Sequence, residues 1–146
     1  YLMEALNPTR VALAAGCVGL AQAAFDHALR YAKERKQFGQ PIGKFQGVSF
    51  KLADMAAEIE LARLMVYKSA WLADRKEKLV KEAAMAKLYA SEMATRVAHR
   101  ALQIHGGYGY AKEYPLERYY RDARLFEIFQ GTSEILRVII GGQLGL

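Results

Sequence analysis

The sequence predicts an all-α fold, an antiparallel up-and-down bundle of three long helices plus two short ones. Three observations carry this. Apolar residues recur at three- and four-residue spacing almost throughout, no segment sustains period-two alternation, and the interruptions fall at glycine, proline and charge clusters. With 146 residues, 53% apolar and 25% charged, the chain has material for one domain with its own core. Only three prolines and that apolar content exclude a disordered or collagen-like chain.

The first helix is expected to begin near Pro8, with Asn7 as its cap. It runs through Val11, Ala15, Val18, Ala21, Phe25 and Leu29 to about Lys33. Gly16 and Gly19 weaken it locally while allowing another helix to come close. The stretch from Arg35 to Lys44 contains two glycines and a proline, and reads as a connector. A second helix follows from Phe45 to Asp74, with Phe45, Val48, Leu52, Met55, Ile59, Ala62 and Met65 on one stripe. The charged turn Arg75-Lys76-Glu77-Lys78 leads to a third helix, about Val80 to Ile104. It stops at Gly106-Gly107-Tyr108-Gly109-Tyr110. A short helix is expected from Pro115 to about Leu125, and a last one from Thr132 or Ser133, hydroxyl-capped, to Ile140. No repeat or interdomain linker interrupts residues 1–146.

A net charge of +6 and a pI near 9.5 point to anionic partners, either nucleic acid or nucleotide cofactors and acyl-CoA pyrophosphates. Arg118, Arg121 and Arg124, interleaved with Asp122, read as an ion-paired helix face, so no nucleic-acid partner is expected. Tyr119 and Tyr120 read as core or rim aromatics. Cys17 stands among Ala, Gly and Val as a buried structural thiol, and a lone cysteine fits a reducing compartment. No apolar run reaches the roughly 18–20 residues of a membrane span, and none is expected. The start, Tyr1-Leu2-Met3-Glu4, has neither a signal-peptide flank nor a transit pattern, and suggests an excised or processed piece. His27, His99 and His105 are scattered without metal-ligand spacing, so no metal site is expected.

Three segments stand out together. The first is Tyr31-Ala-x-x-Arg35-x-x-Phe38-Gly39-x-Pro41-Ile42 with Gln46 beyond it. The second is Gln103-Ile104-His105-Gly106-Gly107-Tyr-Gly109-Tyr, followed by Glu113-Tyr-Pro115 and Arg118-x-x-Arg121-Asp122-Ala-Arg124. The third is Ile128-Phe-Gln130-Gly131-Thr132-Ser133-Glu134-Ile135. Their order and spacing resemble the carboxy-terminal domain of the acyl-CoA dehydrogenases over essentially all 146 residues. Lys51-Leu-Ala-Asp-Met55 and Glu82-Ala-Ala-Met-Ala-Lys87 look nearest to the short-chain branch.

The resemblance implies a flavin-dependent oxidoreductase of fatty acid β-oxidation and lipid metabolism that uses FAD. It implies an acyl-CoA substrate, an electron-transfer flavoprotein as acceptor, and a homo-oligomer, usually a tetramer. The amino-terminal helical and middle β-domains of the family are not among these residues. The location it implies is the bacterial cytoplasm or the mitochondrial matrix.

Arg35 can clamp a pyrophosphate with bidentate geometry, or pair with a neighbouring acid. The family assigns it, with Gln37 and Phe38, to the FAD bound mainly by a neighbouring subunit, and sets Gln46 near that flavin. Gly106 and Gly107 let backbone approach a ligand, or simply end a helix. By resemblance, Gln103, Ile104, His105, Gly106 and Gly107 cradle the adenosine diphosphate of FAD across a subunit interface. Thr132, Ser133 and Glu134 open the last helix, whose free N–H groups favour a polar nucleotide edge or need only a cap. Arg10, preceded by Asn7 where relatives are often acidic, is assigned with Gly131 to the substrate.

The family reaction removes an α-proton from the thioester while the β-hydrogen leaves as hydride to the flavin. The base is usually the glutamate before Gly-Thr, and here that position is Gln130. Some branches put it just before the arginine matched by Arg10, and here that is Thr9. A neutral amide cannot accept the proton. The Gln130 backbone N–H remains free to donate to the thioester oxygen. Activity is therefore expected to be reduced or absent in this form. An engineered change, a base-deficient subunit or scaffold in a mixed oligomer, and a flavin monooxygenase of the same fold are the competing accounts. Glu127 and Glu134 are close in sequence, but helical spacing turns them elsewhere.

Overall fold

The computed structural model describes residues 2–146, with side chains from Leu6 onward. Five α-helices make up the body: α1 (Leu2–Glu34), α2 (Gln46–Asp74), α3 (Val80–His105), α4 (Leu116–Phe126) and α5 (Ser133–Gln143). The helix count, order and most boundaries are those the apolar periodicity predicts.

The start of α1 differs. The helix is already formed at Leu2 and carries Pro8 inside it, so Asn7 is not a cap. Asn7 is buried, and its Oδ1 accepts a 3.3 Å hydrogen bond from Arg10 Nη1 one turn on. Proline removes one backbone N–H near the amino end, and burial of the long stripe beyond it outweighs that loss.

The connector is more ordered than its composition suggests. Lys36–Gln37 (β1) and Gln40–Pro41 (β2) form a two-residue antiparallel ladder, with Lys36 opposite Pro41 and Gln37 opposite Gln40. Phe38 at φ 51° and Gly39 at φ 81° make the turn, both left-handed as a tight primed hairpin requires. A 3₁₀ turn over Ile42–Lys44 then delivers the chain to α2.

At the centre, α3 touches each of the other four helices, and its contact with α1 is the most extensive. Small side chains make that contact possible. Ala14, Cys17, Ala21, Ala24, Ala28 and Ala32 of α1 face Ala86, Ala90, Ala94, Ala98 and Ala101 of α3 in one buried cluster. Leu52, Met55, Ile59 and Ala62 close it from α2 on the predicted stripe, with Val66 buried where the stripe was expected to continue at Met65. The Cys17 thiol is wholly buried, and burial pushes its pKa up to about 12, which leaves it unreactive.

Polar bridges fix the layers. Glu58 of α2 accepts from Arg96 at 3.0 Å and Arg100 at 2.7 Å, both on α3. On α4, Arg121 pairs with Glu117 at 2.9 Å and Arg124 with Glu127 at 2.9 Å. That helix is the ion-paired face expected from its charges, although Glu117 and Glu127, not Asp122, supply the partners.

By length and composition α1 could cross a bilayer, contrary to the reading of its apolar runs. Its Ala14 to Ala32 stripe is spent on the bundle interior, which makes it a core helix.

Candidate functional site

The predicted site residues gather at two ends of the bundle. One set surrounds the turn between α4 and α5. The other surrounds the connector and the carboxy end of α3. About 36 Å of helix, at 1.5 Å rise per residue, separates Arg10 from Glu34 along α1. Within one chain the two sets cannot meet around a single small ligand.

At the first end, the chain leaves α4, turns at Gln130 and Gly131, and enters α5. Gln130 is left-handed at φ 55° and exposed, and Gly131 follows at φ 105°. A β-carbon at Gly131 would meet nothing nearer than 3.6 Å, so backbone conformation rather than space requires glycine there. Thr132 is the N-cap of α5, its Oγ1 accepting from the Ile135 N–H at 3.3 Å. The Ser133 N–H closes the turn onto the Glu127 carbonyl at 3.1 Å.

Beneath this turn lie two buried cations. Arg10 is 2% exposed, Nη2 lies 3.8 Å from where a Gly131 β-carbon would stand, and Nε has no hydrogen-bond partner among the described residues. Lys87 of α3 is 0% exposed, and its Nζ donates to the Gly131 carbonyl at 2.6 Å. Burial holds both below their ordinary pKa values. For Lys87 the charge of Arg10 adds to that, while Cys17 and Glu127 oppose it. The Ser133 hydroxyl is also buried without a partner.

The two nearby glutamates are each engaged by neighbouring groups. Glu127 accepts from the Thr95 hydroxyl at 2.5 Å and pairs with Arg124. Glu134 is exposed in the first turn of α5, and hydrogen bonds from its own backbone and Thr132 hold its carboxyl below the usual value. Thr9 is exposed, with its hydroxyl donated to the Leu6 carbonyl at 2.8 Å.

At the second end, Arg35 lies over the Tyr108 ring, 5.6 Å from its centroid, and joins the connector to the end of α3. Among the described residues it pairs with no acid, which leaves its guanidinium edge available. Phe38, at the hairpin tip, is 91% exposed, and Gln37, Gln46 and Gln103 are exposed as well. Gly106 caps α3 at φ 59°, and open space lies above both Gly106 and Gly107. Gly109 behaves differently: a β-carbon there would stand 2.7 Å from the Leu102 carbonyl oxygen, so it packs the 3₁₀ turn Gly106–Tyr110 onto α3.

Ile104 and His105 turn their side chains inward, leaving only backbone toward this surface. The His105 ring is 3% exposed, stacked on Tyr31 at 4.3 Å, with Nδ1 2.9 Å from the Ala101 carbonyl. Burial lowers its pKa. Among the described residues, no group of three or more His, Cys, Asp or Glu side chains comes together in a way that could hold a metal.

Sequence reasoning missed Lys87. The signal was available: positions 83, 87, 90, 94, 97 and 101 share the buried stripe of α3, and a lysine on it has no solvent to face.

Comparison with known proteins supplies the family and the fold. The family described as acyl-CoA dehydrogenase, C-terminal domain, matches residues 1–145. A probable acyl-CoA dehydrogenase, YngJ of Bacillus subtilis, is 63% identical over 139 residues, covering 95% of this chain and 37% of that protein. The mitochondrial short-chain specific acyl-CoA dehydrogenase of Bos taurus is 53% identical over 142 residues, covering 97% and 34%. The butyryl-CoA dehydrogenase structure from Megasphaera elsdenii superposes with a TM-score of 0.97 at 46% identity, over 99% of this chain and 38% of that one. The chain thus spans little more than a third of the length of the relatives it matches. Matched along its whole length in sequence and fold, it belongs to the acyl-CoA dehydrogenase family, of which it is the all-helical carboxy-terminal domain.

Proposed function

We propose that this domain forms one wall of the FAD and acyl-CoA site of a flavin-dependent acyl-CoA dehydrogenase whose general-base position is occupied by Gln130. The observation that carries the reading is the turn at Gln130–Gly131. It is an exposed left-handed corner at a helix amino terminus, backed by a buried guanidinium with an unsatisfied Nε. The Gln130 N–H, without a backbone partner among the described residues, and the buried positive charge suit an enolate-like oxygen that gains negative charge during reaction. Bound FAD would supply the acceptor for the β-hydrogen. The chain's own residues would orient the thioester through Gly131 and Arg10, with the Gln130 N–H donating to its oxygen. They would lack a proton acceptor at the α-carbon.

The second end suits the nucleotide. An unpaired guanidinium at Arg35, an exposed aromatic at Phe38, exposed amides at Gln37, Gln46 and Gln103, and open backbone at Gly106 and Gly107 are what an adenosine diphosphate contact requires. Ile104 and His105 would contribute backbone only. At the acyl end, Thr132, Ser133 and Glu134 offer a helix amino terminus and one buried unpartnered hydroxyl to a second polar edge of the cofactor.

The separation of the two ends supports a site completed by another copy, hence a homo-oligomer, which in the resembled family is a tetramer. An electron-transfer flavoprotein is the acceptor we infer, and the bacterial cytoplasm or mitochondrial matrix the location. The 146 residues by themselves should not turn over any acyl-CoA.

The test is an anaerobic titration of the full-length, FAD-loaded protein with butyryl-CoA. A shift of the flavin's visible absorbance without bleaching is the expected result, signifying bound thioester and no proton removal. Rapid bleaching would overturn the base-deficient reading. A full-length protein without stoichiometric FAD would make the domain a scaffold.

A further inference from the structure

We propose that Lys87 is a positioning residue: its buried ammonium holds the Gly131 carbonyl and so fixes the direction in which position 130 faces the thioester. The inference rests on the reading of position 130 given above. Its own support is geometric. Lys87 is wholly buried in the central helix, within a stripe of alanines, yet carries a group that water would solvate far better. An apolar side chain of similar volume would serve the core at least as well, because burying an ammonium costs several kcal/mol. Among the described residues, the ammonium makes one hydrogen bond, the 2.6 Å contact to the Gly131 oxygen, 44 positions away in sequence.

That carbonyl needs a donor for a reason local to the turn. Gly131, at φ 105°, precedes the Thr132 N-cap of α5, and among the described residues no N–H of the helix ladder reaches its oxygen. Two anchors frame the corner. On one side, Ser133 N–H bonds the Glu127 carbonyl, while Thr95 and Arg124 hold the Glu127 carboxylate. On the other side stands Lys87. Gln130, at φ 55°, is suspended between them in a left-handed conformation that residues other than glycine adopt at a cost. Thr95, also on α3, reaches only the Glu127 end of the turn, so among the described residues Lys87 alone reaches the Gly131 carbonyl from that helix.

The experiment uses the full-length, FAD-loaded protein and two variants. K87M keeps the length and removes the donor; K87Q removes the charge and retains an N–H donor. Amide hydrogen exchange is followed over the 128–136 segment and over the rest of α3, beside the flavin shift on titration with butyryl-CoA. In K87M, exchange of the segment should quicken about tenfold while α3 elsewhere stays within about twofold. Half-maximal flavin shift should need about tenfold more thioester. K87Q should recover most of both. Unchanged exchange at 128–136 in K87M overturns the proposal. So does uniform loosening of α3, or a K87M protein that fails to fold, since Lys87 would then be a requirement of the core. Local loosening with an unchanged flavin shift would uphold the lysine's hold on the turn and sink the assignment of position 130 to the thioester.

Discussion

His105 and Lys87 sit at opposite ends of the same helix, and each is an ionisable side chain kept from water. Their sequence contexts hid this unequally. A histidine before two glycines reads equally well as a ligand contact or a packing group, and burial against Tyr31 makes its side chain the latter. A lysine in an alanine-rich helix reads as solvated surface unless its phase on the stripe is counted. Burial has a consequence for pH. The native pKa of His105 is lowered, so the folded protein takes up this proton less readily than the unfolded chain. Stability from this group is complete above the unfolded value, about 6.5, and is lost as the pH falls below it, by at most about 1.4 kcal/mol per unit. The melting temperature of the full-length protein should therefore fall between about pH 7.5 and about pH 5.5. H105Q should flatten that fall; an unchanged slope in H105Q would remove His105 as its source.

Among the elements, the long amphipathic helices were legible because their apolar residues repeat over many turns, and the middle of the stripe predicted for α2, Leu52 to Ala62, is buried. Two boundaries were not legible. The start of α1 depends on packing that carries helix through Pro8, and the hairpin at Phe38–Gly39 lacks the Asn-Gly signal that marks most such turns. The start of α5 was read correctly from its hydroxyls, because an N-cap is a property of a few adjacent residues. T132A should cost about 1 kcal/mol by leaving the Ile135 N–H without its cap. Thermal melts of the full-length protein can measure this. A serine at 132, which keeps the hydroxyl, should lose little, and equal losses for both variants would refute the capping role.

At the scale of the molecule, the family was readable from three spaced motifs, but the arrangement of their residues was not. Spacing along a chain says nothing about which ends of a bundle share a site, and here α1 holds Arg10 and Arg35 far apart. The exposed faces are consistent with burial by other surfaces: Leu61, Leu64, Tyr67 and Trp71 form an apolar row along α2, while Ile135, Val138 and Leu144 project from the last helix and its end. A wall with two separated half-sites fits an assembly in which several copies and further domains complete each pocket. In the proposed function, position 130 lacks only a proton acceptor. Restoring the carboxylate as Q130E in the full-length, FAD-loaded protein and following flavin bleaching by butyryl-CoA under stopped flow tests it. Reduction should be about 10²–10⁴-fold faster than with glutamine. Equal rates with glutamine and glutamate at this position would show that the missing carboxylate is not what limits the reaction.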